Sequence, residues 1–193
     1  MLVNKQPSIE TPRLRLRQVQ PSDIEALLVV NCDEEVNAFL PYPRWADLTD
    51  GEAWYQRMVT LQATGSAIQL VLVDKASNLA IGSCLVFRHE AASQRAELGY
   101  VLGREHWRQG LMNEALGAVV TAAFAGQLCG AFLGVALRRL EAEVNPINRA
   151  SCAVLRRLGF TQEGLLRQRW VGKGQAYDVA VFGLLSHEWP QPA

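Results

Sequence analysis

The chain lacks any CxxC or CxH pair; its four cysteines, Cys32, Cys84, Cys129 and Cys152, stand far apart. That spacing excludes the common zinc and redox patterns, so no metal is expected and the thiols read as reduced. There is no GKS or GKT sequence, which removes the nucleotide-triphosphate loop. Neither sign of charge is in excess, with Lys plus Arg and Asp plus Glu both at 19, so no global field favours nucleic acid as a direct partner. The N-terminal stretch MLVNKQPSIETPRL has no long apolar run, and neither a leader nor a membrane anchor is expected there. The most apolar later stretch, 115–137, is broken by Gly117, Gly126, Gly130 and Gly134 and carries Gln127, unlike a membrane span. A cytoplasmic protein without a membrane partner is the expectation. What is present, 49% hydrophobic and 20% charged residues over 193 positions, suffices for a single domain with a sizeable core.

The chain is organised around AELGYVLGREHWRQGLMNEA, from Ala96 to Ala115. Its start alternates as a strand does, Gly103 to Gly110 is a polar loop, and from Leu111 to about Ala125 the spacing is helical. Met112, Leu116, Val119, Val120 and Ala123 make the buried stripe of that helix. A strand entering a helix through such a loop offers unpaired N–H groups and the positive end of a helix dipole, which is an anion site. Gly103 and Gly110 are too far apart for a GxGxxG dinucleotide fingerprint. The loop suits a pyrophosphate held by backbone with Arg108 adding charge, and it equally suits an ordinary strand-to-helix turn.

Elsewhere, RLRLRQV from Arg13 to Val19 has the period of a half-solvated strand. Ser22 is the expected cap of a helix carrying Ile24, Leu27, Leu28 and Asn31. A short helix over 33–40 ends at Pro41, before a loop whose Tyr42 and Trp45 either line a pocket or pack over the core. A further helix is predicted from Asp50 to about Ala63, stopping near Gly65, and a hairpin over 67–73 and 79–87. His89 follows as a surface histidine, or as a base if a partner lies near. Leu140, Ala142 and Val144 alternate with Glu141 and Glu143 in another strand. Asn148 is the expected cap of a helix to Leu158 stopped by Gly159. Ser151 shares the inward stripe of that helix with Leu155 and Leu158, so its hydroxyl needs a partner, either a carbonyl of the preceding turn or a reacting group. Residues 165–171 and 176–185 around GKGQ form a closing hairpin, while GQLCGAFLG from Gly126 to Gly134 has no assigned structure. The class is α/β (α+β), a mixed sheet with helices on its faces.

In that order, AELGYVLG, WRQGLMNEA and NPINRASCAVLRRLGF resemble the GCN5-related N-acetyltransferase (GNAT) family, and within it the group of ribosomal-protein alanine N-acetyltransferases. The resemblance runs from TPRLRLR to the final hairpin. It implies a mixed central β-sheet with splayed middle strands, helices on both faces, and acetyl-CoA as donor. The pyrophosphate is then expected on Arg108, Gln109, Gly110, Leu111, Met112 and Asn113. The pantetheine is expected along the backbone of Tyr100, Val101, Leu102 and Gly103, with Asn148 on the other side. Met112 stands where many relatives have glycine or alanine, and 126–134 looks longer than in relatives.

Many relatives place a tyrosine acid where this chain has Leu155, so Ser151, in the NxxS pattern, is the residue expected to serve the departing thiolate. Glu97 is the candidate base, set against simple pairing with a surface cation, and backbone N–H near Tyr100 or Val101 would meet the oxyanion. By the same resemblance Phe39, Leu40, Tyr42 and Trp45 shape the acceptor mouth. The acceptor is an amine: a protein N-terminus such as the N-terminal alanine of a ribosomal protein, or a small molecule such as an antibiotic, polyamine or amino acid. A CoA-binding sensor without transfer activity is the alternative of a different class. Edge strands in the closing hairpin are compatible with a monomer or a homodimer.

Overall fold

Eight strands form one sheet in the computed structural model, which describes residues 8–129, 132 and 134–190. The strands are β1 (Ile9–Glu10), β2 (Leu14–Gln18), β3 (Ala67–Asp74), β4 (Ala80–Glu90), β5 (Arg95–Leu102), β6 (Arg139–Val144), β7 (Thr161–Gly172) and β8 (Gln175–Leu185). They lie in the order β1-β2-β3-β4-β5-β6-β8-β7. The helices are α1 (Ile24–Cys32), α2 (Glu34–Asn37), α3 (Leu48–Ala63), α4 (Leu111–Phe124) and α5 (Arg149–Arg157).

Strand alternation divides the apolar residues between two faces. Leu14, Leu16, Leu70, Val86, Leu98, Leu140 and Ala142 turn towards α4 and α5 and build the larger core with Leu116, Val119 and Leu155. Val71, Val73 and Ala80 turn the other way, towards Leu27 of α1 and Trp54 and Met58 of α3. β3 is buried on both sides, which is why its sequence AIQLVLVD reads as a continuous apolar run.

Every neighbouring pair is antiparallel except β5 and β6. These two run parallel and pair at Arg95↔Arg139, Ala96↔Leu140 and Glu97↔Glu141, after which their pairing ends. Residues 98–102 of β5 and 142–144 of β6 therefore border a split in the middle of the sheet. This is the splayed mixed sheet expected from the resemblance.

Several local expectations hold at the level of atoms. Asn148 Oδ1 accepts from Ser151 N at 3.0 Å and caps α5, and Gly159 follows that helix at φ +85°. The GKGQ turn has φ +51° at Lys173 and +76° at Gly174, the two positive values that suit a tight hairpin.

Others are corrected. Ser22 caps nothing; Asp23 accepts from Gln20 N at 2.8 Å and is held by Arg17, so the carboxylate organises that turn. The third helix begins at Leu48, capped by Asp47, because Asp50 is engaged with Ala46 N inside its first turn. His89 is half-buried, its ring 4.8 Å from that of Phe132, and is not a free surface group.

Of the segment 126–134, residues 130, 131 and 133 lie outside the described residues, as do 1–7 at the N-terminus. The rest of that segment turns at Gly126 (φ +67°) and buries Leu128, Cys129 and Phe132 beneath the sheet. Among the described residues no helix is long and apolar enough to cross a membrane, and no three His, Cys, Asp or Glu side chains are placed so that they could hold a metal ion.

Candidate active site

The split exposes backbone, and hydrogen-bond parity shows which groups face it. Gly103 N–H donates to Ile81 O of the β4 side at 2.8 Å. By antiparallel alternation the N–H and C=O of Val101 and Gly99 also point to β4, whereas those of Leu98, Tyr100 and Leu102 point into the split. Leu102 O accepts from the Trp107 indole at 2.8 Å. The backbone of Val101 and Gly103, and the Leu102 carbonyl, are therefore engaged within the protein, contrary to the expectation that they face pantetheine. The Glu97↔Glu141 pairing takes the Leu98 N–H onto Glu141 O, so the open groups are the Leu98 carbonyl, both backbone groups of Tyr100 and the N–H of Leu102.

Beside the mouth of the split, Arg108 (φ +60°) and Gly110 (φ +76°) turn the chain into α4. No side chain caps the start of this helix, so its first N–H groups are without partners in the helix. Leu111 and Met112 are buried in the larger core and offer only their backbone outward, while Arg108 and Gln109 are exposed. Arg13 braces the turn by donating to Gln109 O at 2.9 Å and pairing with Glu114 at 2.6 Å. Asn113 reaches across to α5, donating to Val154 O at 3.3 Å.

Ser151 sits in the first turn of α5, close to the other side of the split. Its hydroxyl does not bond back along the helix; it lies 2.7 Å from the Tyr100 hydroxyl, which also reaches Ser151 O at 3.2 Å. Burial pushes the Tyr100 phenol well above its ordinary pKa, so it stays protonated. The side chain of Tyr100 is a site group that sequence reasoning missed. The signal was available, since alternation puts Tyr100 on the face of Leu98 and Leu102, the face towards which Ser151 points.

Glu97 lies on the opposite face at the apex of the split, 7% exposed and opposite Glu141. Its Oε2 accepts from Arg88 Nη1 at 2.7 Å. Burial raises the Glu97 pKa, Glu143 and Glu141 add repulsion, and Arg88 offsets part of the rise. Glu141 is held by Arg95 at 2.8 Å and by Arg139 at 2.7 Å. Glu143 accepts from the Trp170 indole at 2.8 Å, with Arg88 and Arg169 farther off at 3.8 and 3.7 Å. Glu143, Arg88 and Trp170 were not singled out from sequence, although Glu141 and Glu143 fall on the polar side of an alternating strand.

On this face a narrow crevice runs between the end of α2 and the β7–β8 turn, lined by Phe39, Leu40, Pro41, Trp170, Lys173 and Tyr177 among others. Lys173 Nζ closes one end by donating to Asn37 O at 2.6 Å and Asn37 Oδ1 at 2.7 Å. Of the three aromatic acceptor candidates, Phe39 lines the crevice. Tyr42 does not; its hydroxyl donates to Asn31 Oδ1 at 3.3 Å, and burial pushes its pKa up to about 12. Trp45 is 6% exposed and packs on Trp54 with ring centroids 5.4 Å apart. Apolar area drew it into the smaller core, away from the crevice.

Comparison with known proteins bears on the family and the fold. A family model for the acetyltransferase (GNAT) domain matches residues 13–161. The uncharacterized N-acetyltransferase p20 of Bacillus licheniformis is 31% identical over 94% of this chain and 98% of its own length. Among solved structures, the RimL ribosomal L7/L12 alpha-N-protein acetyltransferase in complex with coenzyme A superposes with a TM-score of 0.80 at 26% identity. The match covers 93% of this chain and 98% of that one. An acetyltransferase from Salmonella typhimurium, described as modifying the N-terminal serine of ribosomal protein L7/L12, matches at 25% identity and a TM-score of 0.79, covering 93% and 99%.

Proposed function

The chain belongs to the GNAT acetyltransferase family, and from that premise we propose that it moves an acetyl group from acetyl-CoA to a protein N-terminal amine, acting as one catalytic domain. The observation that carries the reading is the split beyond Glu97↔Glu141, with the uncapped start of α4 at one end and three glutamates at its apex. An amide-bearing arm fits a gap edged by the free Leu98 carbonyl, both backbone groups of Tyr100 and the Leu102 N–H, as an added strand would. Its pyrophosphate suits the N–H groups at 111–113 and the charge of Arg108. Asn148, whose Oδ1 is held by its capping bond, keeps its amide N–H groups for the arm.

The acceptor amine arrives as an ammonium, and the acidic apex favours a cation. Glu97, with its raised pKa, takes the proton directly or through water, and the free amine attacks the thioester carbonyl. Backbone N–H groups facing the split stabilise the oxyanion. As the C–S bond breaks, the Ser151 hydroxyl, backed by Tyr100, gives a proton or hydrogen bond to the departing sulfur. Neither Glu97 nor Ser151 is needed for binding coenzyme A alone, which weighs against a silent sensor.

A peptide acceptor is supported by the likeness to RimL-type enzymes; the Lys173 clasp, which narrows the crevice, is the feature that favours a small amine instead. The test is acetyl transfer from acetyl-CoA to a mixed panel of peptides with free N-termini and small amines, read by mass shift. Products confined to peptides support the proposal, products confined to small amines replace the acceptor, and donor binding without any product overturns transferase activity.

A further inference from the structure

The acidic apex already holds a cation. Arg88 leaves β4 at a bulge, where the register with β5 shifts between Phe87 and Glu90, and its own φ is +51°. Its guanidinium lies 2.7 Å from Glu97 and 3.8 Å from Glu143, bridging the carboxylates that flank the two sides of the split, and its side chain is 56% exposed. Besides the carboxylates it lies over the face of Phe87, 5.4 Å away. Glu141 is saturated by Arg95 and Arg139, so the anionic capacity left at the apex belongs to Glu97 and Glu143. Among the described residues, Glu143 Oε1 has only the distant guanidinium groups of Arg88 and Arg169.

We propose that Arg88 is a stand-in for the acceptor's ammonium: it fills the cation position between Glu97 and Glu143 in the free enzyme and swings to solvent when a primary ammonium takes its place. The inference rests on the reading that the acceptor is an amine. Its consequence is selectivity. An acceptor that cannot replace the positive charge leaves Glu97 and Glu143 repelling each other in a buried setting, so neutral nucleophiles such as alcohols are disfavoured before any chemistry. Arg88 is thus a specificity-determining positioning residue. The groups that set the ionisation of Glu97 are Arg88 from β4 and Glu141 and Glu143 from β6. Behind them stand Arg95, Arg139 and Arg169.

The test uses the full chain with carboxyl-labelled glutamate, assigning Glu97 by its loss in Glu97→Gln. Carbon NMR follows the Glu97 signal against pH in the wild type, Arg88→Gln and Arg88→Lys, and then against added n-butylammonium. Arg88→Gln should raise the pH of half-titration, and Arg88→Lys should restore it. With its guanidinium in solvent, Arg88 gains on the order of 1 kcal/mol from the pair, so butylammonium should bind Arg88→Gln about two- to fivefold more tightly than wild type. In the wild type it should shift the Arg88 side-chain N–H signal in step with Glu97. An unchanged Glu97 titration in Arg88→Gln, no butylammonium binding, or equal or weaker binding by the variant each overturns the proposal. None of these signals requires turnover, so a failure of the acetyl-transfer panel would count against the proposed function and leave this result standing.

Discussion

Replacing Ser151 by alanine separates chemistry from packing. The substitution removes one end of a 2.7 Å hydroxyl pair, but the Tyr100 hydroxyl retains Ser151 O at 3.2 Å. A neutral hydrogen bond contributes about 1 kcal/mol net, and with an acceptor still in reach the loss is about 0.5–1 kcal/mol. In a chain of 193 residues that lowers Tm by about 1–4 °C. If the hydroxyl serves the departing thiolate, kcat falls about 100-fold or more, equivalent to about 2.7 kcal/mol of barrier and well above the stability loss. Thiol release and thermal unfolding, measured on Ser151→Ala, Tyr100→Phe and the double variant, give both quantities. Because the two hydroxyls act as one unit, the double variant should be about as slow as the slower single one. A Ser151→Ala enzyme within about threefold of wild type across the pH range, with Tm lowered as calculated, would refute the role and leave the pair as a packing contact.

The other substitutions probe separate parts of the site. Since burial raises the Glu97 pKa, kcat/KM should climb with pH through a limb above the ordinary carboxylate range as the base form appears. Glu97→Gln should lose that limb and run about 100-fold slower near neutral pH; a Gln variant with its neutral rate intact rules out the base. Gly110→Ala meets nothing closer than Arg13 Nη2 at 3.7 Å, so its cost is the left-handed backbone alone. That cost is about 1 kcal/mol, seen as a Tm about 2–4 °C lower by circular dichroism, and an unchanged melt would contradict the assigned turn. Arg108→Ala should weaken acetyl-CoA binding by about tenfold at low ionic strength in calorimetry, with the difference shrinking as salt is added; equal affinities would remove Arg108 from the anion site.

Much of the fold was legible because local pattern and final burial agree. The alternation in RLRLRQV, the Asn148 cap and the GKGQ turn each carry their own structural reason, and the structure repeats them. The Ser22 expectation failed because Arg17 recruits Asp23, a choice set by a neighbouring strand that spacing along the chain does not reveal. Trp45 followed the same logic: a loop aromatic is ambiguous until the position of Trp54 is known. At the candidate site, the turn into α4 and the inward placement of Ser151 could be read from sequence. Arg88 across from Glu97, and Trp170 beneath Glu143, join residues 9 and 27 positions apart and emerge only from strand register.

The brevity of the β5–β6 pairing reaches beyond catalysis. Three residue pairs, the Arg95–Glu141 bridge, the Tyr100–Ser151 contact and the Asn113 tether stitch two leaves along the seam, above the apolar core they share. If the donor lies in that seam as proposed, it laces both leaves at once, and at a hundred times its Kd it adds about 2.7 kcal/mol to the folded state. The supply of reagent would then govern the lifetime of the catalyst as well as its speed.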